Sequence, residues 1–153
     1  MDVRYMAGLF DGEGMVRIAR WKKPNSSHER YTLYVSIGMT HKPIIQMIAE
    51  NYGGSIHENR HDLRNKKHRI QFSCVWGSQE AAAFLRRIYP HSVEKRDEIE
   101  LALALQAHID ANPYTPAGKG KLRENRDKIL TYRQGLFEKI TALKKRTYTP
   151  LTS

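Results

Sequence analysis

Met6-Ala7-Gly8-Leu9-Phe10-Asp11-Gly12-Glu13-Gly14 is the stretch from which the rest of the chain is read. Gly8 and Gly12 stand about one helical turn apart. With Ala7 beside them they strip one helix face of side-chain bulk, so a second backbone can approach it closely. Gly12 and Gly14 bracket Glu13 and stop the helix there, which leaves a carboxylate at its C-terminal end. The helix dipole is already negative at that end. A second carboxylate arriving from a partner helix would add repulsion unless a divalent cation sat between the two. The segment therefore predicts a helix that packs against another body and ends in an acid in need of a cation.

Downstream, the period of the apolar residues changes. Val16 and Ile18 alternate with Arg17 and Ala19, which is strand spacing, and residues 22–29 with Pro24, Asn25, Ser26 and Ser27 read as a solvent loop. A return strand over 31–39 sets Leu33, Val35, Ile37 and Met39 on one face and Thr32, Tyr34, Ser36 and Gly38 on the other. Thr40 is expected to cap a helix with Pro43 in its first turn, ending at Tyr52-Gly53-Gly54. A second hairpin follows: a short strand over 55–59, a basic loop over 60–67, and a strand over 69–75 with Ile70, Phe72 and Cys74 inward and Arg69, Gln71 and Ser73 outward. Ser78 is expected to cap a helix over 79–89 stopped by Pro90, and 94–110 reads as a further helix with Ile99, Leu101, Leu103, Leu105 and Ile109 available for packing. The order αββαββα predicts an α+β domain over 1–112: four antiparallel strands, helices on one face, polar side chains on the other. Residues 112–121, with two prolines and two glycines, cannot continue a helix. A basic extension over 113–153 follows, helical over 122–146 and lying outside the αββαββα unit.

Composition sets bounds on function. The chain has 153 residues and a formal charge of +10, which fits one domain with a polyanionic partner. Residues 1–112 hold 16 Lys+Arg against 13 Asp+Glu, and 113–153 hold 10 against 3, so the tail is the more basic part. Within the first segment, acids gather on one helix (Glu94, Asp97, Glu98, Glu100) and bases gather around strands and loops. Such polarity suits a binding face. The single cysteine, Cys74, excludes an internal disulfide framework and a cysteine-based zinc site. No apolar run approaches a membrane span and no signal-peptide pattern opens the chain, so an intracellular protein is expected. Residues 117–121, Ala-Gly-Lys-Gly-Lys, have the flavour of a phosphate loop, but Leu122 replaces the required hydroxyl residue and no strand precedes them. His57, His61 and His68 lack zinc-site spacing.

The opening segment closely resembles the signature of the LAGLIDADG homing endonucleases, with Met6 for the first Leu, Phe10 for Ile, Gly12 for Ala and Glu13 for the second acid. The resemblance covers residues 2–110. It implies two motif helices packed together and two sheets forming a saddle over double-stranded DNA. With one motif in the chain, it implies a homodimer whose seam includes Ala7, Gly8, Asp11 and Gly12. Glu13 takes the place of the metal-binding acid, with Mg²⁺ as the hard cation suited to carboxylate and phosphate oxygens. Lys95, in Ser-Val-Glu-Lys-Arg, matches the segment that places the family's active-site lysine. His41 stands where relatives carry a polar group that orients water, and is a departure from the family pattern. The polar strand face is expected to enter the major groove: Arg17, Ala19 and Trp21 from the first strand, Thr32, Tyr34 and Ser36 from the second, His57 and Asn59 from the third, and Arg69, Gln71 and Ser73 from the fourth. Lys22, Lys23, Arg64, Lys66 and Lys67 are expected on phosphates. The activity implied is site-specific cleavage of duplex DNA at a long pseudo-palindromic target, in the service of intron mobility. The alternative is a DNA- or RNA-binding protein on the same scaffold that does not cut, such as an intron maturase or a transcription regulator.

Overall fold

Asp2 opens the first helix: its carboxylate accepts from the backbone N–H groups of Arg4 (2.8 Å) and Tyr5 (3.3 Å), two donors that would otherwise lack partners. The computed structural model describes residues 1–25, 29–59, 69–113 and 121–145. Helix α1 spans Val3–Glu13, with Met6, Ala7 and Phe10 on its buried side. Gly14 ends it. A Cβ there would lie 2.3 Å from the Phe10 ring and 2.5 Å from the Phe10 carbonyl oxygen, so the last glycine of the opening segment is a steric requirement.

The remaining elements follow the expected order. They are β1 (Gly14–Lys22), β2 (Glu29–Met39), α2 (Lys42–Tyr52), β3 (Ser55–Asn59), β4 (Gln71–Gly77), α3 (Ser78–Ile88), a 3-10 turn (Tyr89–His91), α4 (Arg96–Ala111) and α5 (Lys121–Lys144). The four strands form one antiparallel sheet in the order β1-β2-β4-β3. Its inner face carries Val16, Ile18, Leu33, Val35, Ile37, Cys74 and Trp76, all at or near zero exposure, against α1, α2, α3 and α4. Trp76 stacks on Phe84 with centroids 4.1 Å apart, and Phe10 meets the same ring edge-on at 5.3 Å. The motif helix is thereby fixed to the sheet through aromatic contacts. No helix of the described residues is long and apolar enough to cross a membrane.

Several local expectations are corrected. Thr40 does not cap α2: the N-cap position belongs to His41, whose side chain makes no capping bond, because Lys42 and Pro43 already form the first turn. Gly77, not Ser78, precedes α3, and Ser78 adopts a positive φ of 49°. Strand β4 begins at Gln71, so Arg69 and Ile70 lie ahead of it and Ile70 is 42% exposed instead of inward. Helix α4 starts at Arg96, which makes Glu94 and Lys95 part of the approach to the helix. The α2 ending is as read: Gly53 and Gly54 have φ of 72° and 92°. Ser26, Ser27, the basic loop with Arg64, Lys66 and Lys67, the histidines His61 and His68, residues 117–120 and the end of the tail lie outside the described residues.

Helix α5 follows the αββαββα order in sequence and packs upon it in space. Leu136 and Ile140 are 5% and 2% exposed and join the core. Buried Arg133 donates to the Asn112 carbonyl (2.9 Å) and to His108 Nδ1 (3.3 Å), so α5 is held to the end of α4. The Tyr31 hydroxyl donates to Glu29 Oε2 at 3.0 Å and hydrogen-bonds the Gln134 amide, tying α5 to β2. Burial, reinforced by the Glu29 carboxylate, pushes the Tyr31 hydroxyl up to about 12.

Candidate active site and binding face

The chain between the 3-10 turn and α4 presents backbone N–H groups with no helical acceptor. Asp11 supplies one. Its Oδ2 accepts from Val93 N (2.7 Å) and Glu94 N (3.2 Å), its Oδ1 from Lys95 N (3.3 Å) and from the Ser92 hydroxyl. Burial pushes the Asp11 carboxyl up, but the Ser92 hydroxyl and the three N–H groups outweigh it, and the net value lies below the ordinary 3.8. Asp11 thus serves this chain's own α4, and it places Lys95, the N-cap residue of α4, beside the end of α1.

Sheet register brings the other candidates to the same place. Gly14 pairs with Ile37, so the end of α1 and the end of β2 lie together. Glu13 is the last residue of α1 and exposed, and no hydrogen bond or ion pair to another described residue holds its carboxylate. His41 follows β2 at that same end and is also exposed. Arg17 lies on β1 one step further in, its guanidinium 4.7 Å from the centroid of the Tyr34 ring directly opposite. Glu13, Lys95, His41 and Arg17 therefore gather at one end of the sheet, although they come from four separate elements or element ends.

The outer face of the sheet carries most of the side chains expected there. Pairing sets Arg17 opposite Tyr34, Ala19 opposite Thr32, His57 opposite Ser73 and Asn59 opposite Gln71. Trp21 is 57% exposed. Ser36 and Ser73, each 9% exposed, share this face but sit recessed between larger neighbours, and Asn59 Nδ2 donates to Ser73 Oγ at 3.3 Å. Arg30, opposite Trp21, belongs to the same face and was missed by beginning the strand at 31; carrying the alternation one step back from Thr32 finds it. Lys22 has the opposite parity and lies 3.5 Å from Glu29 Oε1, which also takes Arg20 at 2.7 Å. A hollow of about 850 Å³ near Trp21, Lys23, Arg30 and Arg133 is larger than any feature at Glu13, but it lies at the far end of the hairpin from the gathered acid and base.

Two glycines of the opening segment face open space. A Cβ on Gly8 or Gly12 would meet nothing within 4 Å, whereas Ala7 is fully buried in the chain's own core. Ala7 is thus turned away from the seam expected of it. Among the described residues no group of three or more His, Cys, Asp or Glu could hold a metal. With Asp11 engaged, one chain offers one open carboxylate, Glu13. An oxygen ligand of that kind fits a hard divalent cation, and one is too few to enclose it.

Solved structures share this architecture. The archaeal intron-encoded homing endonuclease I-Vdi141I, complexed with DNA, has a TM-score of 0.73 at 14% identity, covering 95% of this chain and 86% of its own. The homing endonuclease I-CvuI, in complex with its target in the presence of 2 mM Ca, gives 0.67 at 16%, covering 92% and 80%. The LAGLIDADG homing endonuclease I-GzeII, in complex with a DNA target, gives 0.64 at 14%, covering 87% of this chain and only 44% of that one. No protein-family model matches the chain, and no curated protein matches it significantly.

Proposed function

We propose, for a chain that has the α+β fold of the LAGLIDADG homing endonucleases, that it is a homodimeric endonuclease cutting duplex DNA at a specific long site with divalent metal. The observation that carries the reading is the unpartnered Glu13 at the end of α1 beside Lys95, which Asp11 holds in place. An acid left open at the negative end of a helix is unfavourable by itself and favourable beside a cation. The solved neighbours I-Vdi141I and I-CvuI carry DNA, and I-CvuI was also studied in the presence of 2 mM Mg.

Two chains are needed. The unit aligns to less than half of I-GzeII, and the bare face of α1 at Gly8 and Gly12 serves no contact within the chain. A two-fold seam there brings two Glu13 carboxylates together, each sheet reads one half-site, and the target is pseudo-palindromic. When bound, Mg²⁺ supplies Lewis-acid stabilisation of the phosphate and lowers the pKa of a water. Glu13 holds that cation, Lys95 donates to the phosphate as its negative charge grows, and His41 orients the attacking water. The water oxygen bonds to phosphorus, the phosphorus bond to one bridging oxygen breaks, and that oxygen leaves with a proton. Arg17, Trp21, Arg30, Asn59 and Gln71 contact base edges, with Lys23 on the backbone.

The test is cleavage of a randomised plasmid library with and without Mg²⁺. Wild-type protein should yield a recurrent duplex site, and Glu13→Gln should bind that duplex and leave it whole. A wild-type protein that binds duplexes and never cuts in Mg²⁺ or Mn²⁺ points instead to the non-cleaving reading.

A further inference from the structure

Helices α4 and α5 run antiparallel, and their contacts at two levels fix the register between them. At one end Arg133 meets His108 and Asn112. At the other, Lys139, Ala142 and Leu143 share a groove with Asp97, Glu100 and Leu101. Eleven residues are about three helical turns. Stepping that far along α5 from Arg133 reaches Lys144, and the matching step back along α4 from His108 reaches Asp97. Arg133, Leu136, Ile140 and Lys144 therefore form one stripe facing the body of the protein, of which the first three are buried. Lys144 ends the stripe beside the first turn of α4, next to Lys95. Its electrostatic neighbours agree with that placement: Glu98, Arg17 and Lys95. Burial pushes the Lys144 ammonium down, Glu98 pulls it up, and Arg17 and Lys95 push it down again.

We propose that Lys144 is a further catalytic residue, delivered by the C-terminal helix to contact the phosphate undergoing cleavage beside Lys95 and Arg17. Apolar packing does not ask for a lysine there, since Leu or Met would continue the stripe. A half-buried ammonium facing two other cations is unfavourable in the free protein and becomes favourable when a phosphate enters among them. Lys144 acts as a charged donor to a non-bridging oxygen, gaining strength as water adds to phosphorus, and no proton leaves it. The helix outside the αββαββα order is then part of the cleavage site, which deepens the endonuclease reading and rests on it.

The probe is the duplex that wild-type full-length protein selects and cuts from a randomised plasmid library in Mg²⁺. Lys144→Met should cut that duplex about 100-fold more slowly under single turnover. Its affinity for the uncut duplex in Ca²⁺ should stay within about threefold, as for a contact strengthened in the transition state. Its Tm should hold or rise, and Lys144→Arg should recover most of the rate. Wild-type cutting by Lys144→Met overturns the proposal while leaving the endonuclease reading intact. So does a loss of affinity in step with rate, or a fall in Tm shared by Met and Arg variants. A wild-type chain that cuts nothing in the library removes both.

Discussion

At the scale of single residues, the division of labour between two neighbouring acids organises the site. Asp11 spends both oxygens on the approach to α4, and Glu13 spends neither. Because the folded pKa of Asp11 is depressed, its contribution is present above the ordinary 3.8 and lost as pH falls through the lower folded value. Asp11→Asn should cost about 2 kcal/mol at neutral pH, since an amide oxygen replaces a charged acceptor facing several N–H groups. The variant's stability should also fall less steeply on acidification. Parallel acid-unfolding curves for the two proteins would sink this account. Gly14→Ala should destabilise as well, because the new methyl meets the Phe10 ring and carbonyl. The role of Glu13 was legible because a terminal acid between glycines is odd within one helix. The partners of Asp11 lie more than eighty positions away, and no local spacing reveals them. Ala7 was misplaced for a related reason: smallness suits a seam and a tight core equally, and Ala7 serves the core.

At the scale of elements, α5 is where packing adds most to the sequence reading. Ile140 is 2% exposed and closes the layer formed with α4 and β1, so Ile140→Ala should lower stability by about 2–4 kcal/mol in denaturant titration. An effect below about 0.5 kcal/mol, the level of an ordinary surface change, would mean that α5 is not docked. The Tyr31 link to Gln134 gives a second readout. With its hydroxyl raised from 10.0 to about 12, stability is fully present below pH 10 and declines as pH rises towards 12, and Tyr31→Phe should lose that alkaline dependence. Hairpins and the Gly53-Gly54 stop were readable because positive φ and strand alternation are local properties. Helix starts were not. Thr40 and Ser78 are good capping residues, yet the caps fell on His41 and Gly77, where the end of one strand and the path into the next helix decide the geometry. Ser36 and Ser73 were placed on the correct face, but alternation says nothing of how deep a small side chain sits between large ones. Lys144 had a sequence signal of its own: a lysine continuing the spacing of Leu136 and Ile140.

At the scale of the whole molecule, the chain carries two costs that it does not recover alone: a net charge of +10, and glycines at two interior positions of an eleven-residue helix. The charge implies a polyanion, and binding to duplex DNA should weaken steeply with salt, by a slope that counts the phosphates neutralised. The glycines imply a second copy. Each costs about 1 kcal/mol against alanine in a helix interior, and a methyl at either position meets nothing within 4 Å in the single chain. Gly8→Ala and Gly12→Ala should therefore raise the stability of the isolated chain while weakening its self-association, an inversion that a core position does not give. Sedimentation at a series of concentrations, set beside thermal unfolding of the monomer, reads both effects. If the double variant unfolds at a higher temperature and still sediments as a dimer, the α1 face is not the seam, and Glu13 must find its second carboxylate elsewhere. If it becomes a monomer that binds DNA and no longer cuts, the bare helix face is a requirement of the assembled site, kept at the expense of the single chain's stability.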